Sequence, residues 1–237
     1  MNQQTDFDVL AVGAHPDDVE VGVGGTVAKL VKQGQRVAIL DLTEGELATR
    51  GSVEERRAEA QAAAALLGVA HRANAQLPDG GIANSEAMRL MLIGIFRTLR
   101  PRVLLCPMHT DRHPDHDAAH YLVRDANYLA GLAQIDTGQE PHRAAQVFYY
   151  RVYGETTLPS AVIDVSDTFE AKLSALRAYR SQLFNPNYEG ATTYVSSEAF
   201  WNAIATRAAY WGGRIGAAYG EPIYSDAPIS LSTLPGL

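Results

Sequence analysis

Up to about residue 135 the chain alternates short apolar runs with longer stretches of helical periodicity. That rhythm builds an α/β fold, a mostly parallel, Rossmann-like sheet with helices on both faces. The spacing predicts strands over residues 8–13, 35–42, 71–77 and 103–106, and helices over 24–33, 52–67, 85–99 and 115–130. Runs such as Val103-Leu104-Leu105-Cys106 show no polar alternation, as expected of strands covered on both faces. Gly34 and Gly68 suit helix C-termini, Ser52-Val53-Glu54-Glu55 fits a capping box, and Pro101 stops a helix. Leu90, Met91, Ile93, Ile95 and Phe96 supply apolar faces to that last helix. Beyond residue 133 the rhythm changes. Strands over 147–153 and 161–165, helices over 167–182 and 196–211, and a loop over 185–190 read as a layer wrapped on the same sheet. With no repeat, linker or low-complexity segment, residues 1–237 are expected to form a single domain.

Composition narrows the functional classes. A net charge of −7 without any basic run argues against nucleic acid as a partner. No apolar stretch reaches the ~18 residues of a membrane span, and the polar residues 1–6 do not resemble a signal peptide. Cys106 is the only cysteine, so internal disulfides are impossible and a reducing cytoplasm is the expected location. Its place in an apolar run makes it an inert core thiol.

Two histidine–aspartate clusters carry the chemistry. One is Gly13-Ala14-His15-Pro16-Asp17-Asp18-Val19-Glu20, and the other is Asp111-Arg112-His113-Pro114-Asp115-His116. Each directly follows a predicted strand, and open α/β sheets bind ligands outside the carboxyl ends of their strands. A single His-Pro-Asp tripeptide is ordinary turn chemistry, because aspartate caps backbone groups and proline sets φ. Two such clusters at two strand ends, together providing a full ligand set plus acid and base, are not. His15, Asp18 and His116 offer two imidazoles and a carboxylate, which suits Zn²⁺ and leaves a fourth position for water. A cation there lowers the pKa of that water to about 7. Asp17 can act as general base, His113 as an imidazolium stabilising an oxyanion, and Asp115 as the orienting partner of one histidine. These residues predict a metal-dependent hydrolase. Two histidines and a carboxylate also form the facial triad of Fe(II) oxygenases, and a metal- or sugar-binding protein without turnover is a further alternative. The same set accepts Fe²⁺ or Co²⁺.

At these residues the chain resembles the LmbE-like (PIG-L) family of zinc-dependent N-deacetylases. The similarity runs through Ala14 to Glu20 with Gly24-Gly25-Thr26, Asp41 to Glu46, Arg56 to Ala60, His113 to His116, and Tyr179 to Gln182. Pro78-Asp79-Gly80-Gly81, Asp111-Arg112 and Pro141-His142-Arg143 bring it nearest the deacetylases of bacillithiol biosynthesis, which act on N-acetylglucosaminyl malate. The resemblance implies His15, Asp18 and His116 as zinc ligands, Asp17 as base and His113 as oxyanion stabiliser. It also implies a small-molecule sugar conjugate as substrate, with the acetamide of N-acetylglucosamine as the bond cleaved. Arg56 and Arg112 correspond to basic positions near the substrate pocket, suited to a malate carboxylate. Tyr194 resembles a loop tyrosine that reaches the reacting carbonyl. Family members carry an acidic or polar residue where Glu46 stands, and they are often homo-oligomers, including hexamers. Of the remaining histidines, His71, His109 and His142 have no partner cluster, and His120, four residues after His116, is expected to be a solvated helix residue. Trp201, Tyr210 and Trp211 are expected in the core or a subunit interface.

Overall fold

The computed structural model describes residues 6–154 and 157–229; residues 1–5, on which the expectation about a leader rests, lie outside them. Its centre is a parallel sheet of β1 (Val9–Gly13), β2 (Val37–Thr43), β3 (His71–Leu77), β4 (Val103–Pro107) and β5 (Gln146–Tyr150). Their order is β3-β2-β1-β4-β5. The helices are α1 (Asp18–Lys32), α2 (Val53–Leu66), α3 (Glu86–Leu99), α4 (Pro114–Ala130), α5 (Phe169–Ala178) and α6 (Glu198–Arg214). A short antiparallel pair, β6 (Ala161–Asp164) and β7 (Gly220–Ile223), completes the fold.

The apolar runs form strands because both faces of the sheet are covered. Every residue of β1 and β2 is buried. Leu10, Val12, Leu40 and Leu104 pack on one side against Leu92, Ile93 and Phe96 of α3 and Leu122 and Val123 of α4. Val9, Ala11 and Ile39 pack on the other against Val23 and Val27 of α1, Ala63 and Ala64 of α2, and Leu176 of α5. Each fully buried aliphatic side chain stabilises the fold by roughly 1.5–3 kcal/mol. In this strand order the chain crosses to the other side of β1 between β3 and β4. The switch point therefore lies between the carboxyl ends of β1 and β4, where the two clusters follow.

Four elements depart from the predicted ones. The first helix starts at Asp18, immediately after the first cluster, and not at residue 24. Glycines discourage that reading by propensity, but they are there for packing. A Cβ on Gly22 would come within 2.2 Å of the Tyr150 ring, and one on Gly25 within 2.9 Å of Val165. Val23, with φ −139° and ψ 22°, marks a kink between the two halves. The helix expected over 167–182 ends at Ala178, because Tyr179 turns out of it and frees Ser181 and Gln182 to bond elsewhere. The strand expected over 147–153 ends at Tyr150. β7 has no counterpart among the predicted strands: Gly-Glu-Pro-Ile has no strand periodicity, and it is held by the buried Glu221. That carboxylate accepts from Lys172 Nζ at 2.6 Å and from the N–H groups of Gly25 and Thr26 at 3.0 and 2.7 Å.

Several single positions are also corrected. Leu90 and Met91 are exposed, and the buried face of α3 is made by Leu92, Ile93, Phe96 and Leu99. Trp211 is in the core, whereas Tyr210 is exposed. His120 is buried, not solvated, with Nδ1 3.3 Å from the carbonyl oxygen of Pro107. Cys106 is buried as expected, and burial pushes its thiol pKa up. Among the described residues no helix is long and apolar enough to cross a membrane.

Candidate active site

Both clusters converge where the sheet predicts. The turn after β1 carries His15 and Asp17 and leads into Asp18 at the start of α1. The segment between β4 and α4 carries Asp111 and His113 and leads into Asp115 and His116 in the first turn of α4. His113 is the N-cap of α4, its Nδ1 accepting from the backbone N–H of Asp115 at 3.3 Å, and Pro114 opens the helix where its missing N–H costs nothing.

Asp18 lies between the two histidines. Its Oδ2 accepts from the His15 backbone N–H at 2.9 Å and lies 3.6 Å from His15 Nδ1, while Oδ1 lies 3.2 Å from His116 Nε2. The other ring nitrogens are held by further carboxylates. His15 Nε2 is 3.1 Å from Asp79 Oδ1 and 3.2 Å from Asp115 Oδ2, and His116 Nδ1 is 3.1 Å from Asp111 Oδ1. The expected role of Asp115 as a histidine partner matches its position. Asp79 and Asp111 share that role and were not singled out from sequence. Asp79 reaches His15 from the turn after β3, which is fixed by two bonds: Asp79 N–H to Glu46 Oε1 at 2.7 Å, and Leu47 N–H to Asp79 Oδ2 at 2.9 Å. Glu46 thus supports the turn that orients His15.

The charge balance of the cluster fits a cation. Asp17, Asp18, Asp79, Asp111 and Asp115 surround His15 and His116. Burial disfavours both imidazolium ions, yet the neighbouring carboxylates outweigh it, holding His15 well above its usual pKa and raising His116 to about 9. Asp18 is held well below the usual carboxylate range: burial raises it, but His116 and His15 prevail. The site therefore demands positive charge. Both nitrogens of His116 are buried, and neither meets its facing carboxylate with hydrogen-bond geometry. Side chains aimed at a common ion look like this. Among the described residues two triplets have ligand atoms within 4.8 Å of one another, His15 with His113 and His116, and His15 with Asp79 and Asp115. Asp18, expected as a ligand, is in neither and stands between His15 and His116 instead. In the second triplet the contacts to His15 Nε2 are ordinary hydrogen bonds, so these carboxylates orient the ring and leave Nδ1 on the side of Asp18. A histidine–aspartate set at this switch point can hold a metal.

Asp17 adjoins Asp18 but is built differently. Its φ of 113° puts a non-glycine residue in left-handed backbone, a strained conformation typical of functional positions. Burial pushes its pKa up to about 7 against the opposing charge of Arg56, whose Nη2 lies 3.2 Å from Asp17 Oδ2. Arg56 is otherwise committed to the backbone: Nη2 and Nε donate to the Pro16 carbonyl at 2.8 and 3.3 Å. Burial and the charges of His15 and His116 lower the pKa of His113. Because Nδ1 accepts a backbone N–H, its proton sits on Nε2.

A cleft of about 430 Å³ opens on these groups, lined by His15, Asp17, His113, Arg50, Arg56 and Tyr153, among others. The two remaining sequence candidates, Arg112 and Tyr194, are not among its lining residues. Arg112 is exposed, its guanidinium 4.2 Å from the ring centre of Tyr194 and 5.2 Å from that of Tyr153. Tyr194 is also exposed, and Tyr153 stacks on His116 at 5.5 Å. Tyr153 and Arg50 were missed from sequence, since nothing in their local pattern distinguishes them from packing residues.

The family model for GlcNAc-PI de-N-acetylase, PIG-L, matches residues 10–127. Diacetylchitobiose deacetylase of Thermococcus kodakarensis is 32% identical over 96% of this chain and 86% of its own length. The solved conserved protein TT1542 of Thermus thermophilus superposes with a TM-score of 0.87 at 37% identity, covering 96% of this chain and 98% of that one. N,N'-diacetylchitobiose deacetylase from Pyrococcus horikoshii superposes with a TM-score of 0.78 at 28% identity, over 91% of this chain and 82% of that one. The chain belongs to the PIG-L family of de-N-acetylases and is an amide hydrolase.

Proposed function

We propose that this chain is a zinc-dependent N-deacetylase acting on an N-acetylglucosamine conjugate, with N-acetylglucosaminyl malate as the favoured substrate. His15, Asp18 and His116 would hold the ion, which supplies Lewis acidity and makes a water at the site more acidic. Asp17 takes the proton of the attacking water, its carboxylate steered by Arg56. A base whose pKa lies near working pH is well matched to that task. His113 donates a hydrogen bond from Nε2–H to the oxygen that gains charge as the acetamide carbonyl is attacked. The C–N bond then breaks, and the proton taken by Asp17 passes to the departing amine, directly or by way of His113, leaving acetate and the free amine. Asp79 and Asp115 fix the ring of His15 through hydrogen bonds, and Asp111 faces His116 Nδ1 at 3.1 Å on the side away from Asp18. One observation carries this reading. The two oxygens of Asp18 face the rings of His15 and His116, at 3.6 and 3.2 Å, whereas the adjacent Asp17 turns to Arg56 Nη2 at 3.2 Å and is raised to about 7 by burial, so Asp18 suits a ligand and Asp17 a base.

The malate conjugate is favoured because the cleft of a chain with net charge −7 has the guanidinium of Arg50 in its lining, with Arg56 beside it held by Pro16 and Asp17. Diacetylchitobiose, a neutral disaccharide, is the second reading, supported by the 32% identity to a relative of that name. Incubation of zinc-loaded wild type and Asp17→Asn with both substrates, with primary amine quantified, tests the proposal. Amine release should fall about 10²–10⁴-fold in Asp17→Asn while zinc stays bound. No amine from either substrate would overturn the proposal.

A further inference from the structure

We propose that Arg50 forms an oxyanion-binding subsite in the cleft, taking a carboxylate or phosphate carried by the aglycone of the sugar substrate. The inference deepens the deacetylase reading and rests on it.

Arg50 lies in the loop between β2 and α2 and is only 8% exposed, yet it lines the same cleft as His15, Asp17 and His113. Its Nε and Nη2 are buried and meet no hydrogen-bond acceptor. Arg151 also leaves a buried Nε unpartnered, but its Nη1 donates to the Thr110 carbonyl at 2.9 Å, and two further buried guanidinium groups are well partnered. Arg97 donates to the carbonyls of Ala130, Leu132 and Ile135 and to Thr137 Oγ1, and Arg72 grips Asp41 through two nitrogens. A buried cation without such partners is costly unless an anion reaches it. The planar fork of a guanidinium matches a carboxylate or phosphate with two parallel bonds.

The surroundings hold Arg50 in place without consuming its donors. Its guanidinium carbon sits 4.7 Å from the ring centre of Tyr188, whose hydroxyl donates to Glu55 Oε2 at 3.0 Å. Its backbone carbonyl accepts from Gln182 Nε2 at 2.6 Å. The next residue, Gly51, has φ +75°, and a Cβ there would come within 2.7 Å of Ser181 Oγ. The loop is thus clamped to the segment after α5, with Ser181 itself bound to Glu59 through N–H and Oγ, both at 2.7 Å. The two arginines that the sequence singles out are less suited. Arg56 is committed to Pro16 and Asp17, and Arg112 stands outside the cleft lining, over Tyr194.

The test compares kcat/KM of the zinc-loaded enzyme on four substrates: N-acetylglucosaminyl malate, its dimethyl ester, N-acetylglucosamine 1-phosphate and neutral diacetylchitobiose. Wild type should favour the malate conjugate over its ester, or the 1-phosphate over diacetylchitobiose, by at least about tenfold, the scale of one or two charge-assisted hydrogen bonds. Arg50→Gln should remove most of that preference through KM, and Arg50→Lys should restore part of it. Whichever anion loses most identifies the group bound. The acid–ester comparison needs no variant and stands even if Arg50→Gln does not fold. Wild type that releases amine from diacetylchitobiose but prefers neither anion overturns the subsite and leaves the deacetylase reading intact. The same holds for a folded Arg50→Gln that keeps the full preference. No amine from any of the four overturns the deacetylase reading, and the subsite with it.

Discussion

Replacing Arg56 separates two roles that a sequence cannot tell apart. If Arg56 served only a substrate carboxylate, Arg56→Ala would raise KM for anionic substrates and leave folding and neutral substrates alone. The structure predicts otherwise. The guanidinium is 7% exposed and makes two bonds to the Pro16 carbonyl and one to Asp17. Removing one member of a buried charged pair costs about 3–5 kcal/mol, and part of that is the Pro16 oxygen left without its donor. For a domain of this size about 2–4 °C of melting temperature goes with each kcal/mol, so Tm should fall by roughly 6–20 °C. Arg56 also opposes the upward push of burial on the Asp17 pKa. Without it Asp17 stays protonated to higher pH, so the acid limb of the kcat profile should move upward. With the strained Asp17 backbone no longer anchored, turnover of diacetylchitobiose should drop by roughly ten- to hundredfold, part of the full value of a general base. Thermal melting and pH–rate profiles on neutral and anionic substrates measure these effects. An Arg56→Ala protein with wild-type Tm and wild-type turnover of the neutral substrate would refute the reasoning.

Asp79→Asn should weaken zinc binding about 10–100-fold without unfolding the protein, because it loosens the ring of His15 and removes no ligand; competition with a chromogenic chelator measures it. His120 should make the fold acid-sensitive. Burial, with the neighbouring His109 and Arg124, lowers its pKa to about 4 against the opposing pull of Asp226 and the Pro107 carbonyl, while its ring packs on Tyr121 and Tyr149. The unfolded chain binds that proton near the ordinary value of about 6.5, so between about pH 6.5 and 4 unfolding takes up more protons and stability falls as pH falls. Above that window the effect vanishes. Urea midpoints of His120→Gln should therefore decline less than those of wild type across it, and parallel curves would contradict the assignment.

The sheet and the position of the site were legible because their signals are local. Apolar runs mark strands buried on both faces, and a histidine–aspartate cluster after a strand needs no knowledge of distant contacts. Residues that act across the fold were not legible. Asp79 reaches His15 from 64 positions away, and its Pro-Asp-Gly-Gly segment, though part of the family resemblance, gives no sign of that contact. The sequence shows two arginines that could meet a carboxylate, but not that Arg56 is already bound to Pro16 while two buried donors of Arg50 lack an acceptor. The start of α1 was misplaced because its glycines answer to Tyr150 and Val165, which propensity does not see. β7 depends on Lys172 and on the backbone of Gly25 and Thr26, all distant in sequence.

The most direct test of a metal-dependent deacetylase centred on His15, Asp18 and His116 is amine release from diacetylchitobiose and N-acetylglucosaminyl malate before and after metal removal. Protein stripped with a chelator, with metal verified absent, should release no amine, and one equivalent of Zn²⁺ per chain should restore release to wild type but not to His116→Ala. Full turnover by verified metal-free protein, or by His116→Ala, would contradict the account.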